Sequence, residues 1–306
     1  MGKSMLKKKD TNITQSGREI TAQEIEEIKE TVSLCKGLSR IELAQTIAEN
    51  LQWYRASGTN KVDAGLKLLE KLESQGVLQL PEKRIILKSK KKRGLSMTKE
   101  TEPQPEIACN LKELYPVKLE IVKNKELLSL WKEYVSRYHY LGYKKPFGYT
   151  MRYFIKTERG RLGCVLFSGA AKSMGTRDNW IGWTEKQRLN NLAWVINNSR
   201  FLIFPWVNVK NLASHALGQI CRQIRMHWQE LWGYSPVLIE TFVDPVRYQG
   251  ICYKAANWQY LGMTTGQGLV RKGKSYTTTP KKIFIQPLVK NYSDLLCSEK
   301  LVGRVI

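Results

Sequence analysis

The stretch KSKKKRGLSMTKETEPQPE at 88–106 carries a basic run and then a Pro/Glu/Thr-rich run, with no apolar spacing that a helix or strand could bury. A stretch that cannot pack divides the chain into two bodies that must each bury their own core. The reading is a basic flexible tail over 1–18, a small domain over 19–88, a linker over 89–110, a larger domain over 111–292 and a C-terminal tail over 293–306.

The first body reads as three helices. In TAQEIEEIKETVSLC the apolar stripe is Ile25, Ile28 and Val32, opened by a Thr21/Glu24 capping box. In LSRIELAQTIAENLQW a Ser39/Glu42 box precedes a second stripe, and NKVDAGLKLLEKLESQG stops at Gly76. VLQLPEKRIILK then reads as two short strands around Pro81. Three helices and a wing make a winged helix-turn-helix. Such a module sets Arg55, Lys61, Lys67, Lys71, Lys83 and Arg84 on its last helix and wing, where they suit phosphate and groove contacts. The same segments also suit a small helical interaction domain.

Beyond Leu111 strands and helices interleave. MRYFIKT and RLGCVLFSGAA read as paired strands. SRFLIFPWV reads as a buried strand and VKNLASHALGQICRQIRMHWQELWG as a long helix closed by Gly233. PVLIETFV reads as a strand, YQGICYKAANWQYLG as a short helix with a turn, and KKIFIQPLV as a last strand. The expected class is therefore α/β, a mixed sheet with helices against it.

Charge narrows the partner. The 306 residues carry a net +23, and residues 111–306 hold 30 Lys and Arg against 12 Asp and Glu, a net of +18. An excess of this size on the larger body implies a polyanion, DNA or structured RNA. Six scattered cysteines without a C-x-x-C exclude a zinc ribbon and a disulfide framework. No apolar run approaches the ~18 residues of a membrane span, and the start MGKSMLKKKD lacks a signal-peptide core, so the expected setting is the cytoplasm, with no membrane partner.

Against that charge, Glu230, Glu240 and Asp244 are the only acids between Lys186 and Tyr292. Glu240 and Asp244 suit a divalent metal such as Mg, with His139 or His215 as a further ligand, because a metal lets phosphate approach carboxylates. Alternatively Glu240 serves as a general base or pairs with an arginine such as Arg200, and Asp244 caps a helix starting near Pro245. In RYHYLGYKK, Tyr140, Tyr143 and Lys144 surround His139 and suit either base stacking or an aromatic core. Arg200, Asn211, Ser214 and His215, at the buried strand and the next helix start, suit a phosphate, and Arg247 adds charge beside Asp244.

The order of a buried strand, a long helix, a strand and a helix bearing Tyr253 and Asn257 resembles the second half of the GNAT N-acyltransferase fold. SRFLIFPWVNVKNLASHALG resembles its DNA-base-modifying Mom-like branch. That resemblance implies a splayed strand, a coenzyme A-type donor, and Tyr253 protonating a leaving thiolate. VNVKNLAS stands where the branch's glycine-rich donor loop would be.

A longer resemblance, through LQWYRASG, LEKLESQGVLQLP, RYHYLGY, NNSRFLIFPWV, NLASHALG and ETFVDPVRYQGICYKAANWQYLGMTTGQG, is to the DruA family of Druantia anti-phage systems. It implies a role in phage defence or in a mobile element, acting with other defence or transposition proteins. Three activities remain open: binding alone, metal-dependent cutting or strand transfer, and base-modifying acyl transfer.

Overall fold

The computed structural model describes residues 12–35, 37–82, 97–146, 148–266 and 278–301. The chain divides into two compact units, Met1–Lys90 and Lys91–Ile306.

In the first unit a hairpin of β1 (Ile13–Gln15) and β2 (Arg18–Ile20) precedes α1 (Ala22–Leu34), α2 (Arg40–Asn50) and α3 (Val62–Ser74). Both capping boxes form: the Thr21 and Ser39 hydroxyls accept from the backbone N–H groups of Glu24 and Glu42, whose carboxylates return to the cap N–H groups. Ile28, Leu43, Ile47, Leu68, Leu69 and Leu72 close the core. Gly65 lets α3 approach α2, since a Cβ there would stand 2.6 Å from the Ala44 carbonyl oxygen.

Two expectations change here. Part of the segment read as a tail is the β1–β2 hairpin, because Ile20 is a core residue of this unit. Val77–Glu82 carry no strand, Leu80 being turned into the core instead, and the rest of the expected wing lies outside the described residues.

The second unit opens with β3 (Ile107–Ala108), β4 (Lys118–Ile121), α4 (Lys125–Tyr138), β5 (Met151–Thr157) and β6 (Gly160–Gly169). There follow α5 (Gly175–Ile181), α6 (Glu185–Asn191), β7 (Val195–Ile203), β8 (Val207–Asn208), α7 (Leu212–Trp232) and β9 (Leu238–Val243). Last come α8 (Ile251–Ala255), β10 (Gln259–Met263), β11 (Lys282–Pro287) and α9 (Tyr292–Leu296). Among the described residues the main sheet has the order β10-β11-β9-β7-β6-β5-β4. All its neighbours are antiparallel except β7 and β9, which run parallel through the α7 crossover. The mixed α/β sheet is thus observed. Its strands read from sequence are present, although the one read as SRFLIFPWV runs over Val195–Ile203 and is only half-buried from Ser199 on. WQYLG, read as the end of a helix and a turn, lies mostly in β10.

Two segments read as a linker and a tail are structured in part. Ile107–Ala108 of the expected linker pair with Val207–Asn208. The start of the expected C-terminal tail is α9, after which the Leu301 N–H donates to Asn191 Oδ1. Among the described residues no helix is long and apolar enough to cross a membrane.

The parallel pair does not stay together. β7 meets β9 only at Val195↔Leu238, Ile196↔Ile239 and Asn197↔Glu240. Beyond Asn197, β7 remains with β6 as far as Ile203↔Gly163, while β9 remains with β11 as far as Val243↔Lys282. The register of β7 on β6 slips between Asn198 and Arg200, leaving Ser199 as an extra residue at the point of parting. A bulge of this kind bends its strand and raises the local twist. The splayed strand implied by the acyltransferase resemblance is present, and its cause is local.

Candidate functional site

The parting of β7 and β9 opens a cleft of about 420 Å³. Its walls are Asn198–Ile203 of β7, Thr241–Asp244 at the end of β9, and Tyr248–Tyr253 in the turn and α8. His139, Tyr140 and Leu141, just past α4, complete it.

Asn198 holds the parting open. Its side-chain amide donates to the Leu166 and Arg200 carbonyls, of the β6–β7 register pair just past the bulge, at 3.2 and 3.1 Å. Its Oδ1 accepts from the Tyr253 hydroxyl at 2.8 Å, and its backbone carbonyl accepts from the Thr241 hydroxyl at 2.9 Å. The Asn198 side chain thus supplies hydrogen bonds to two main-chain carbonyls beside the bulge. Tyr253 is buried, with its ring stacked on Phe284, and burial pushes its hydroxyl above the usual tyrosine range. The phenol is therefore protonated at neutral pH and acts as a donor.

The mouth is aromatic and cationic. The His139 and Tyr140 rings stack with centroids 4.9 Å apart. The Arg247 guanidinium lies 5.0 Å from the Tyr140 ring centre, and the Tyr248 ring stands 5.8 Å away. Arg200 donates to the Gly142 and Ser199 carbonyls. Neither arginine is paired with a carboxylate among the described residues. Burial, with Arg200 nearby, lowers His139 from 6.5 to about 4, so the ring is neutral at physiological pH.

Glu240, weighed as a base, a metal ligand or the ion-pair partner of an arginine, lies in an ion pair. It is fully buried, one oxygen accepting from Arg177 at 2.7 Å and the other from the Ala171 N–H at 2.7 Å. Arg177, equally buried, also holds Asp178 at 2.7 Å. Each carboxylate oxygen carries a hydrogen bond inside this buried pair, and Glu240 does not line the cleft. The arginine partner is Arg177 rather than Arg200, and nothing local in the sequence marks a pair so far apart along the chain.

Asp244 caps a turn and not the expected helix start, since α8 begins only at Ile251: its Oδ1 accepts from the Val246 N–H at 3.1 Å and its carbonyl from the Tyr248 N–H. No group of three or more His, Cys, Asp or Glu that could hold a metal occurs among the described residues.

Other expected residues fall elsewhere. Asn257 is exposed with φ +63°, a left-handed residue that ends α8, so it closes a helix rather than facing a substrate. Tyr143 packs edge-on to Trp131, outside the cleft, and Lys144 is exposed beside it in sequence. Asn211 begins α7 in a left-handed conformation (φ +66°), and its carbonyl accepts from the Ser214 hydroxyl. His215 lies against Tyr115 and Gln219. These three residues do not line the cleft.

In the first unit Arg55 pairs with Asp63 at 2.7 Å. Lys61 and Lys71 reach the carbonyls of Ser16 and Thr14 in the hairpin, while Lys67 is exposed. Lys83 and Arg84 lie outside the described residues. Sequence reasoning missed Asn198, Tyr248 and Gly250 at the cleft. NNSRF offered only a polar interruption at the start of a buried strand as a signal.

Among solved structures the chain is similar to aminoglycoside acetyltransferase AAC(6')-Ib in complex with coenzyme A and kanamycin. The identity is 15%, over 58% of this chain and 97% of that one, with a TM-score of 0.35. It is also similar to FeeM, an N-acyl amino acid synthase from uncultured soil microbes, at 11% identity over 56% of this chain and 90% of that one, with a TM-score of 0.31. No curated protein matches. The family profile described as Druantia protein DruA matches residues 71–279, a span that includes the whole cleft and its Asn198 strut. By that match the chain belongs to the Druantia protein DruA family.

Proposed function

We propose that this chain is a DNA-binding component of a phage-defence or mobile-element system and engages the strand through the cleft between β7 and β9. The observation that carries the reading is the mouth of the cleft, where Arg200 and Arg247 stand without carboxylate partners among the described residues, beside the rings of His139, Tyr140 and Tyr248. The net +18 of residues 111–306 supplies the long-range attraction. Membership of a family named for a defence system supports the biological setting, and with it other defence proteins as partners. Structured RNA presents the same phosphate chemistry and is the competitor to include.

The test is binding of labelled DNA by the full chain across a salt series. Cationic contacts to phosphate release counterions, so affinity falls steeply with salt, with a log–log slope of about −0.7 to −0.9 per phosphate neutralised. An affinity indifferent to salt overturns the reading.

Acyl transfer is a second reading, favoured by the parting of the parallel pair and by a protonated Tyr253 hydroxyl inside it. Binding of acetyl-coenzyme A measured by calorimetry tests it. Metal-dependent cutting has no comparable support, since Glu240 is sealed in its ion pair.

A further inference from the structure

The cleft mouth suggests which form of nucleic acid it takes. We propose that the site receives a single unpaired nucleotide, its base lying over the Tyr140–Arg247–Tyr248 cluster and its phosphate against the Arg247 and Arg200 guanidinium groups. This rests on the nucleic-acid reading of the cleft and specifies it further.

Size argues first. About 420 Å³ lies within the range of small-molecule sites and suits one nucleotide rather than a duplex. Chemistry argues next. Tyr248 is 56% exposed at the edge of the cleft, where its ring is open to a partner molecule. Beside it Val246 and Ile251, 81% and 71% exposed, continue an apolar lip. Behind that lip Tyr140 carries the Arg247 guanidinium on its ring. Rings and guanidinium planes are the surfaces on which unpaired bases stack, whereas a paired base keeps its faces inside the helix.

Position argues last. The Asp244 carboxylate and carbonyl fix the turn by accepting from the Val246 and Tyr248 N–H groups. The lip is therefore presented by a capped turn at the end of a sheet strand. Tyr248 meets the Tyr140 ring, which comes from the far wall of the cleft, so one base lying over the pair touches both walls.

The test uses the full chain and an oligodeoxynucleotide carrying one 5-iodouracil, a base that cross-links to adjacent aromatic side chains on irradiation. It is offered as a single strand, as a perfect duplex, and as the matching oligoribonucleotide. Expected are tighter binding of the single strand than of the duplex and adducts mapped by mass spectrometry to Tyr140 or Tyr248. Tyr248→Ala should lose roughly tenfold in single-strand affinity with an unchanged salt slope, and Tyr248→Phe should restore it.

Adducts elsewhere, with the strand still bound, overturn this inference and leave the nucleic-acid reading standing. So does equal affinity for the duplex with no effect of Tyr248→Ala. If acetyl-coenzyme A alone fills the cleft and displaces the strand, the site belongs to a donor and the inference falls. No binding of any polymer overturns both.

Discussion

The Tyr253 hydroxyl of α8 donates to Asn198 Oδ1 of β7 at 2.8 Å, joining two walls of the cleft where the main-chain ladder has stopped. Asn198 sits at the bulge, so the same side chain that spans the strand irregularity also receives the phenol. Tyr253→Phe leaves a buried acceptor short of its donor and is expected to destabilise the fold by about 1–3 kcal/mol. Asn198→Ala removes three bonds and should cost more. Urea unfolding of both variants checks the order. Tyr253→Phe costing more than Asn198→Ala would show that the strut is not what holds the cleft.

The Arg177–Glu240 pair lies under the sheet end with no solvent access. Breaking it from one side strands a buried charge, so Glu240→Ala is expected to lose about 3–5 kcal/mol of stability. Replacing both partners by apolar residues of similar size should recover much of that loss. Chemical unfolding of the single and double variants gives the coupling. A Glu240→Ala chain as stable as the wild type would restore the case for a functional carboxylate.

His139 yields a pH dependence. Its folded value, about 4, is below the ordinary 6.5, so the folded state takes up a proton less readily than the unfolded chain. The associated stability is complete above pH 6.5 and is lost as pH falls from 6.5 towards 4. His215 and His227 are also lowered by burial and add in the same direction. Thermal melts between pH 7 and 4.5 should show the fall, and His139→Asn should flatten part of it. NMR titration of the His139 ring near 6.5 would contradict the cause assigned to it.

Gly250 has φ +76°, and a Cβ there would come within 2.5 Å of the Phe284 ring. That ring stacks on Tyr253. Gly250→Ala is therefore expected to destabilise by roughly 1–3 kcal/mol through the displaced ring, with backbone strain in addition. Because the displacement reaches Tyr253, ligand binding in the cleft should weaken as well. Unfolding and strand-binding measurements on one preparation check both effects.

Local chemistry made much of the fold legible. The Thr21 and Ser39 boxes, the glycine at Gly233 and the apolar runs of β5, β6, β7, β9 and β11 each act within a few residues, and each is found. The site was legible only in part. Tyr253, His139, Tyr140, Arg200 and Arg247 converge, yet Glu240 belongs to Arg177, sixty-three positions away in sequence. The bulge at Ser199 has no residue signature, because it arises from the pairing of two strands and not from either alone. The β1–β2 hairpin was missed for a similar reason. Three-residue strands have no period to read, and Ile20 is held by a core assembled from later helices.

Arg247 separates charge from stacking. It is exposed, its guanidinium rests on Tyr140, and the turn that carries it is fixed by Asp244, so Arg247→Ala should leave the fold intact. If its charge meets phosphate, the variant should bind all strands more weakly and lower the salt slope by about 1. Tyr248→Ala, by contrast, should weaken binding at constant slope, because no charge is removed. Measuring both slopes on one oligonucleotide series decides the matter. An unchanged slope for Arg247→Ala would place the phosphate elsewhere on the basic surface and leave this cleft without its electrostatic role.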